Sequence, residues 1–370
     1  MGQDLPSQAF LGNAPSLYGF GSKELQGLVC GLGEPKFRAN QLIGWLYARQ
    51  ARTLSEMTDI PKPFRQTLEK RYCLMPLCPV AKKGASDGVL KWAFAIEGGG
   101  IIESVHIPGE GKDTLCLSSQ VGCALDCAFC ATAKVGFRRN LRLEEVVGQL
   151  MHAVFELGRP AIRRIVFMGM GEPLLNVENI LRAIEIFTMP SGLGFSPRRI
   201  TVSSSGVVPG IVELAKKAPG VGLAVSLNAP DDERRAKLMS IAKKYPLKDL
   251  FEALRAWAGT TKDPVTLEYI LLPGFNMAFE DAPKLASLVR GLPCKINLIP
   301  FNPFPGASFR PPSDDEVDAF ANRLHAKGLH VQVRRSRGLG ALAACGQLGA
   351  GLLQGQGVSK PFPGERKRAR

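Results

Sequence analysis

The stretch Gly122-Cys-Ala-Leu-Asp-Cys-Ala-Phe-Cys-Ala131 sets Cys123, Cys127 and Cys130 in a Cys-x3-Cys-x2-Cys spacing. Such a spacing reads as a three-thiolate cradle for a [4Fe–4S] cube, which normally takes one thiolate on each iron. Three ligands leave one iron open to bind something else, and an open iron is where chemistry can happen. Phe129, directly before the last cysteine, would shield a redox centre from solvent. Structural zinc is the rival reading, because Cys116, seven residues upstream of Cys123, could complete a tetrahedral four-thiolate site. Against zinc, Cys116 falls inside a predicted strand and the triplet just beyond its end, so the four sulfurs would need a tight reversal.

That strand, Thr114 to Leu117, is the first of a series. Further β-rich runs follow at Arg164 to Met168, Arg199 to Val202, Leu223 to Leu227, Val265 to Leu272, Lys295 to Ile299 and His330 to Val333. Helical stripes alternate with them. Leu143, Val146, Val147, Leu150, Val154 and Leu157 are spaced for one buried face, and Ser313-Asp-Asp-Glu316 is a capping box ahead of Val317, Phe320 and Leu324. Repeated βα units of this length predict an α/β fold, with a parallel sheet closed or partly closed into a (β/α) barrel and its site at the C-terminal strand ends.

Upstream, residues 1–17 read as a loose polar arm, and 18–85 as a small helical accessory domain in which Phe37, Leu42, Trp45 and Leu46 lie at near-helical spacing. Its Lys36, Arg38, Arg49, Arg52, Lys62 and Arg65 could face a phosphate backbone. The barrel is expected over 86–350, and 351–370 reads as a disordered basic tail that either grips RNA or merely solubilises the chain. Lys and Arg exceed Asp and Glu by 14, which suits either a polyanionic partner or an unspecialised basic surface. No apolar run is long enough to span a bilayer, and the N-terminus shows no basic-then-apolar signal. Nine cysteines, an odd count, do not look like a secreted disulfide framework, so a reducing cytoplasm is the expected address.

The predicted strand ends share a chemistry. Gly169-Met-Gly-Glu-Pro173 follows the second, Ser203-Ser-Ser-Gly206 the third, Ser226-Leu-Asn228 the fourth and Asn302-Pro-Phe-Pro305 the sixth. Glycines let a backbone approach a ligand closely, while Glu172, Ser203, Ser226 and Asn302 offer the hydrogen bonds that an amino-acid moiety and a ribose require.

Together with the triplet, Gly171-Glu172 at the second strand resembles the radical S-adenosylmethionine superfamily. The longer string Cys116-Leu-Ser-Ser-Gln-Val-Gly-Cys-Ala-Leu-Asp-Cys-Ala-Phe-Cys130 narrows it, with Gly136-Phe-Arg-Arg-Asn-Leu141, Asn297-Leu-Ile-Pro-Phe-Asn-Pro303 and Ala343-Ala-Cys-Gly-Gln-Leu348. These segments resemble the RlmN/Cfr family of adenosine methyltransferases over residues 18–350.

The resemblance implies a [4Fe–4S] cluster on Cys123, Cys127 and Cys130, and S-adenosylmethionine held by Gly171, Glu172, Ser203, Ser226, Leu227, Asn228 and Asn302. It implies that Cys345 becomes S-methylated, that Cys116 resolves the product through a Cys116–Cys345 disulfide, and that Glu103 accepts a proton. Most members read Ser-Leu-His where this chain has Ser226-Leu-Asn228. The implied partners are 23S rRNA, tRNA and an electron-donor protein such as flavodoxin or ferredoxin, with the enzyme a monomer. Carbon 2 of adenine is not nucleophilic, so a radical route is the one expected. Two alternatives stand beside it: a Cfr-like carbon-8 methyltransferase, and a zinc-stabilised RNA-binding protein without enzymatic activity.

Overall fold

A computed structural model describes residues 14–74 and 77–353, apart from the Cys78 side chain. Helices α1 (Ser22–Gly31), α2 (Arg38–Ile43) and α3 (Lys62–Arg71) open the chain. They close around Leu25, Val29, Leu42, Leu46 and Leu68, all fully buried. Two residues of the expected stripe depart from it. Phe37 is 55% exposed, and Trp45 lies under the Arg49 guanidinium, 4.3 Å from its centre.

Four of the six basic residues named from the sequence have protein partners. Arg38 pairs with Glu34 and Arg49 with Asp59, while Arg52 donates to the Phe155 carbonyl and Arg65 to that of Ser55. The expected arm over 1–17 ends earlier than predicted: Ser16 bridges Cys73, and Leu17 is wholly buried. Its first 13 residues, and residues 354–370 of the expected tail, lie outside the described residues.

Strands β1 (Cys78–Gly84), β2 (Leu90–Ala95), β3 (Ile101–Ile107) and β4 (Thr114–Cys116) follow. Next come the small ribbon of β5 (Gln120–Val121) and β6 (Arg139–Asn140), which flank α4 (Ala131–Val135), and then α5 (Leu143–Leu157). The alternation continues with β7 (Arg164–Phe167), α6 (Val177–Thr188), β8 (Ile200–Ser204), α7 (Val208–Lys217) and β9 (Gly222–Ser226). Helices α8 (Asp232–Leu238), α9 (Ile241–Lys244) and α10 (Leu247–Thr261) lead to β10 (Val265–Leu271), α11 (Asp281–Leu288), β11 (Cys294–Pro300), α12 (Asp314–His325), β12 (Val331–Val333) and α13 (Ala350–Leu353).

One ten-stranded sheet runs β1-β2-β3-β4-β7-β8-β9-β10-β11-β12, with β1 and β12 at its two edges. It is therefore an open, partial barrel. Strands β4 and β7 to β12 pair in parallel, whereas β1 to β4 pair antiparallel. The boundary expected at residue 85 falls inside this sheet, because Cys78–Gly84 hydrogen-bonds to β2 and belongs to the barrel. Among the described residues no helix is long and apolar enough to cross a membrane.

Register decides which side chains share a face. In-register neighbours point the same way, and the side alternates along each strand. Lys91 stands opposite Val105, Val105 opposite Cys116, Cys116 opposite Val166, and Val166 opposite Thr201. Two residues along, Ser203 stands opposite Ala224, which aligns with Thr266, and Ser226, Glu268 and Asn297 form one row. Lys91, Glu103, Cys116, Ser203, Ser226, Glu268 and Asn297 therefore share one face of the sheet. The opposite face carries Leu115, Ile165, Phe167, Val202 and Leu223, all essentially inaccessible, under the helical layer. Helix α5 meets that layer with Val146, Val147, Leu150 and Val154, each of whose burial contributes about 1.5–3 kcal/mol.

Candidate active site

The cysteine loop begins where β4 ends, and it is set by glycine. Gly122 has φ +75°, and a Cβ there would lie 1.5 Å from the Gly136 carbonyl oxygen. No other residue can occupy that position without moving backbone. The loop is fastened from several sides. Gln120 Oε1 accepts from the backbone N–H groups of Ala124 and Glu172, and its amide donates to Asn140. Ala128 N–H donates to the Leu238 carbonyl, and Asp126 accepts from Ser240 N–H. Gln120 thus ties the cysteine loop to the Gly-Glu turn after β7, a role its sequence position did not announce.

Cys123, Cys127 and Cys130 lie within electrostatic reach of one another. Burial pushes the Cys123 thiol up to about 12 and Cys127 well above its usual value, with the neighbouring sulfurs adding to both shifts. Two thiols that their surroundings keep from ionising alone, Cys123 and Cys127, with Cys130 beside them, are a donor set suited to a positively charged centre, which compensates the thiolates. The Leu125 N–H directed at Cys123 Sγ, 3.4 Å away, suits a thiolate ligand as well. The residues present fit the cluster.

The remaining predicted residues surround the same face. Gly171 has φ +98°, and a Cβ there would meet Gln120 at 2.5 Å. Glu172 is buried, its carboxylate accepting from Leu174 N–H and Ser205 N–H; burial raises its carboxyl above the usual range despite those bonds. Ser203 is the penultimate residue of β8 and Ser226 the last of β9, and Leu227 N–H donates to the Glu268 carbonyl. Asn302 donates to the carbonyl of Cys345, 3.0 Å away.

Asn228 behaves differently from its neighbours. It holds a left-handed backbone, φ +58°. Its Oδ1 accepts from Ile270 N–H and its amide points at Met239 Sδ, while its carbonyl accepts from the buried Asn276. The side chain is spent on β10 and Met239, where it fixes the turn that follows β9.

Cys116 and Cys345, 229 positions apart in sequence, are brought to one place. Cys345 lies on the loop between β12 and α13, and that loop is bonded to the segment following the cysteine triplet: Ala131 N–H donates to the Gly346 carbonyl and Thr132 Oγ1 to the Leu348 carbonyl. Cys345 is open to solvent, yet it sits in a recess crowded by protein on its other sides. Burial there pushes its thiol up to about 12, with Glu268, Cys130 and Cys116 adding their charges. Burial pushes Cys116 up to about 12 as well. Glu103 is buried beside them, with Lys91 at 2.9 Å from Oε1 and Gly349 N–H at 2.8 Å from Oε2.

Three residues of this face went unassigned in the sequence: Lys91, Glu268 and Asn297. Glu268 accepts from Asn297 Nδ2 at 2.9 Å, and burial raises its carboxyl above the ordinary range. Alternation along Val265–Leu271 and Cys294–Pro300 was the available signal, because it puts a carboxylate and an amide on the same side as Ser226. A cavity of about 670 Å³ between α6 and α7, lined by Glu178, Arg182 and Lys217, includes none of these residues.

Comparison with known proteins agrees with the geometry. Residues 117–286 match the radical SAM superfamily, and residues 16–74 match the N-terminal domain of ribosomal RNA large subunit methyltransferases. The crystal structure of a radical SAM methyltransferase from Sphaerobacter thermophilus superposes with a TM-score of 0.87 at 41% identity, covering 91% of this chain and 99% of that one. Fold and site together define a radical S-adenosylmethionine methyltransferase. The dual-specificity RNA methyltransferase RlmN of Geotalea uraniireducens is 44% identical over 89% of this chain and 95% of its own length. That of Syntrophobacter fumaroxidans is 46% identical over 88% and 95%. The chain belongs to the RlmN family.

Proposed function

We propose that this protein is a dual-specificity RNA methyltransferase that methylates carbon 2 of adenosine, in the peptidyl transferase centre of 23S rRNA and in tRNA at the adenosine 3′ of the anticodon. It works in the cytoplasm as a monomer, supplied with electrons by a small protein such as flavodoxin or ferredoxin. The observation that carries the reading is the bonding of the Cys345 loop to the segment behind the cysteine triplet, through Ala131 and Thr132. A thiol that carries a methyl group must stand beside the centre that activates it.

Cys123, Cys127 and Cys130 hold the cluster, which when bound supplies the electron that makes S-adenosylmethionine a radical source. Gly171, Glu172, Ser203, Ser226, Leu227, Asn228 and Asn302 bind and orient S-adenosylmethionine, Asn228 by shaping its turn. The Cys345 sulfur accepts a methyl group and later presents it, activated, to a ring carbon that cannot attack as a nucleophile. With the carbon bonded to both sulfur and adenine, Glu103 takes the ring proton. Cys116, giving up its thiol proton, then attacks the Cys345 sulfur; the carbon–sulfur bond breaks with its electron pair passing to the base-bound methylene, which takes up a proton to become methyl, a Cys116–Cys345 disulfide remains, and the odd electron of the adduct would return to the cluster that Cys123, Cys127 and Cys130 would hold. That bond requires the two Cα atoms within about 7 Å.

Anaerobic reconstitution with iron and sulfide, followed by reaction with S-adenosylmethionine and each RNA class, tests the reading by nucleoside mass spectrometry. 2-Methyladenosine from both RNAs is expected. 8-Methyladenosine would move the assignment to the other ring carbon, and a colourless protein holding zinc without iron would remove the radical reading altogether.

A further inference from the structure

The loop that carries Cys345 is pinned on both sides of the thiol by one buried ion pair. Lys91, on β2, places Nζ 2.9 Å from Glu103 Oε1 and 3.1 Å from the carbonyl of Leu342. Glu103, on β3, accepts the Gly349 N–H at its other oxygen, 2.8 Å away. Leu342 lies three residues before Cys345 and Gly349 four residues after it, so the two contacts bracket the sulfur. Lys91 and Glu103 are 7% and 4% exposed, and both face the same side of the sheet as Cys116.

The grip acts where the backbone needs holding. Leu342 adopts a left-handed conformation, φ +51°, which a branched side chain rarely takes. Gly349 has φ +84°, and a Cβ there would lie 2.9 Å from Val135. On the Leu342 side, Lys91 supplies a charged donor that fixes the carbonyl of the strained residue. On the Gly349 side, Glu103 supplies a charged acceptor. Neither partner is replaceable by water in so dry a place, and a buried charge that loses its partner is a strong driving force for rearrangement.

We infer that Lys91 is a positioning residue for Cys345, holding the thiol loop in place through Glu103 and the Leu342 carbonyl. The inference rests on the reading of Cys345 as the methyl carrier.

The test uses the full chain, anaerobically reconstituted, without RNA or S-adenosylmethionine. Iodoacetamide alkylation is followed residue by residue by peptide mass spectrometry, alongside hydrogen exchange. In Lys91→Met, Cys345 is expected to alkylate about tenfold faster than in the wild type, and the amides of 338–349 to exchange faster by a similar factor. Cys116, Cys294 and the iron content should stay unchanged, which a general loosening of the fold would not allow. Lys91→Arg, which keeps the charge and the donors, should restore most of the protection. Lys91→Gln is the milder variant, expected to fall between wild type and Lys91→Met, and it decides the matter if Lys91→Met does not fold. Exchange and Cys345 alkylation within twofold of wild type in either folded variant would overturn the inference. Because no turnover is read, a wild-type enzyme that fails to methylate RNA would sink the proposed function and leave the latch standing.

Discussion

The parallel and antiparallel parts of the sheet share one reactive face but hold their groups by different means. In the parallel part, β4 and β7 to β12, the groups sit at strand ends on turns fixed by backbone: Gly122 against the Gly136 carbonyl, Gly171 against Gln120, Glu172 clasped by two N–H groups. In the antiparallel part, β1 to β3, the groups stand in mid-strand, and it is side-chain charge, Lys91 and Glu103, that reaches out to a distant loop. The first arrangement builds a cradle that needs only the chain's own turns. The second adds a thiol from the far end of the chain to that cradle. Substitutions that alter backbone should therefore be most damaging in the parallel part, and substitutions that alter charge in the antiparallel part.

The largest expected effect belongs to the cradle. Cys123→Ala removes one of three thiolates, and iron content, visible absorbance and RNA methylation should all fall to background, a loss of at least about a thousandfold in rate. Retention of the full iron content would break the ligand assignment. Gly122→Ala keeps every thiol and should still fail to hold the cluster. A Cβ 1.5 Å from a backbone oxygen cannot be relieved by a rotamer, and a destabilisation of about 3 kcal/mol or more is expected in thermal melts. An unchanged melting temperature would show that the turn is not backbone-limited.

Cys116→Ala tests the junction of the two parts. Its cluster should assemble normally, since Cys116 is no ligand in this reading, and methyl transfer to Cys345 should proceed. Product release should not, so a covalent protein–RNA adduct should accumulate, visible on a denaturing gel. Normal turnover would remove Cys116 from the resolving role.

The same contrast explains what the sequence could reveal. The strands of the parallel part were legible to within a residue or two, because each is a short apolar run bounded by turn residues, and the groups at their ends come as local strings such as Gly171-Glu172. Strands β1 to β3 were missed as strands. Their buried faces carry Lys91, Glu103, Ser104 and His106, polar residues that interrupt the apolar alternation on which strand assignment depends, and the loop partners of Lys91 and Glu103 lie 251 and 246 residues downstream. Glu103 was found only by likeness to a family. Lys91 had no such string to carry it, and its meaning exists only once the C-terminal loop is folded back over the sheet. Asn228 shows the opposite limit: its place in Ser226-Leu-Asn228 marked it as a ligand contact, but its side chain is turned onto β10.

The smallest effect tests whether the shared face is as dry in its parallel part as at the Lys91–Glu103 pair. Glu268 lies there without a cation in direct contact among the described residues, its carboxylate accepting from Asn297 at 2.9 Å. Burial is the first cause of its raised carboxyl, and the Asn297 bond, Arg334 and Lys295 oppose the rise only in part. A carboxyl whose folded value exceeds its unfolded one contributes its full stability below the unfolded value, and loses it as pH climbs through the folded value. Glu268→Gln cannot ionise and still presents an oxygen to Asn297. Its melting temperature should match the wild type at low pH and exceed it by about 1–2 °C once the pH is above the ordinary carboxylate range. A difference that does not change with pH would mean that Glu268 is solvated in the folded protein, and that this part of the reactive face admits water where the antiparallel part excludes it.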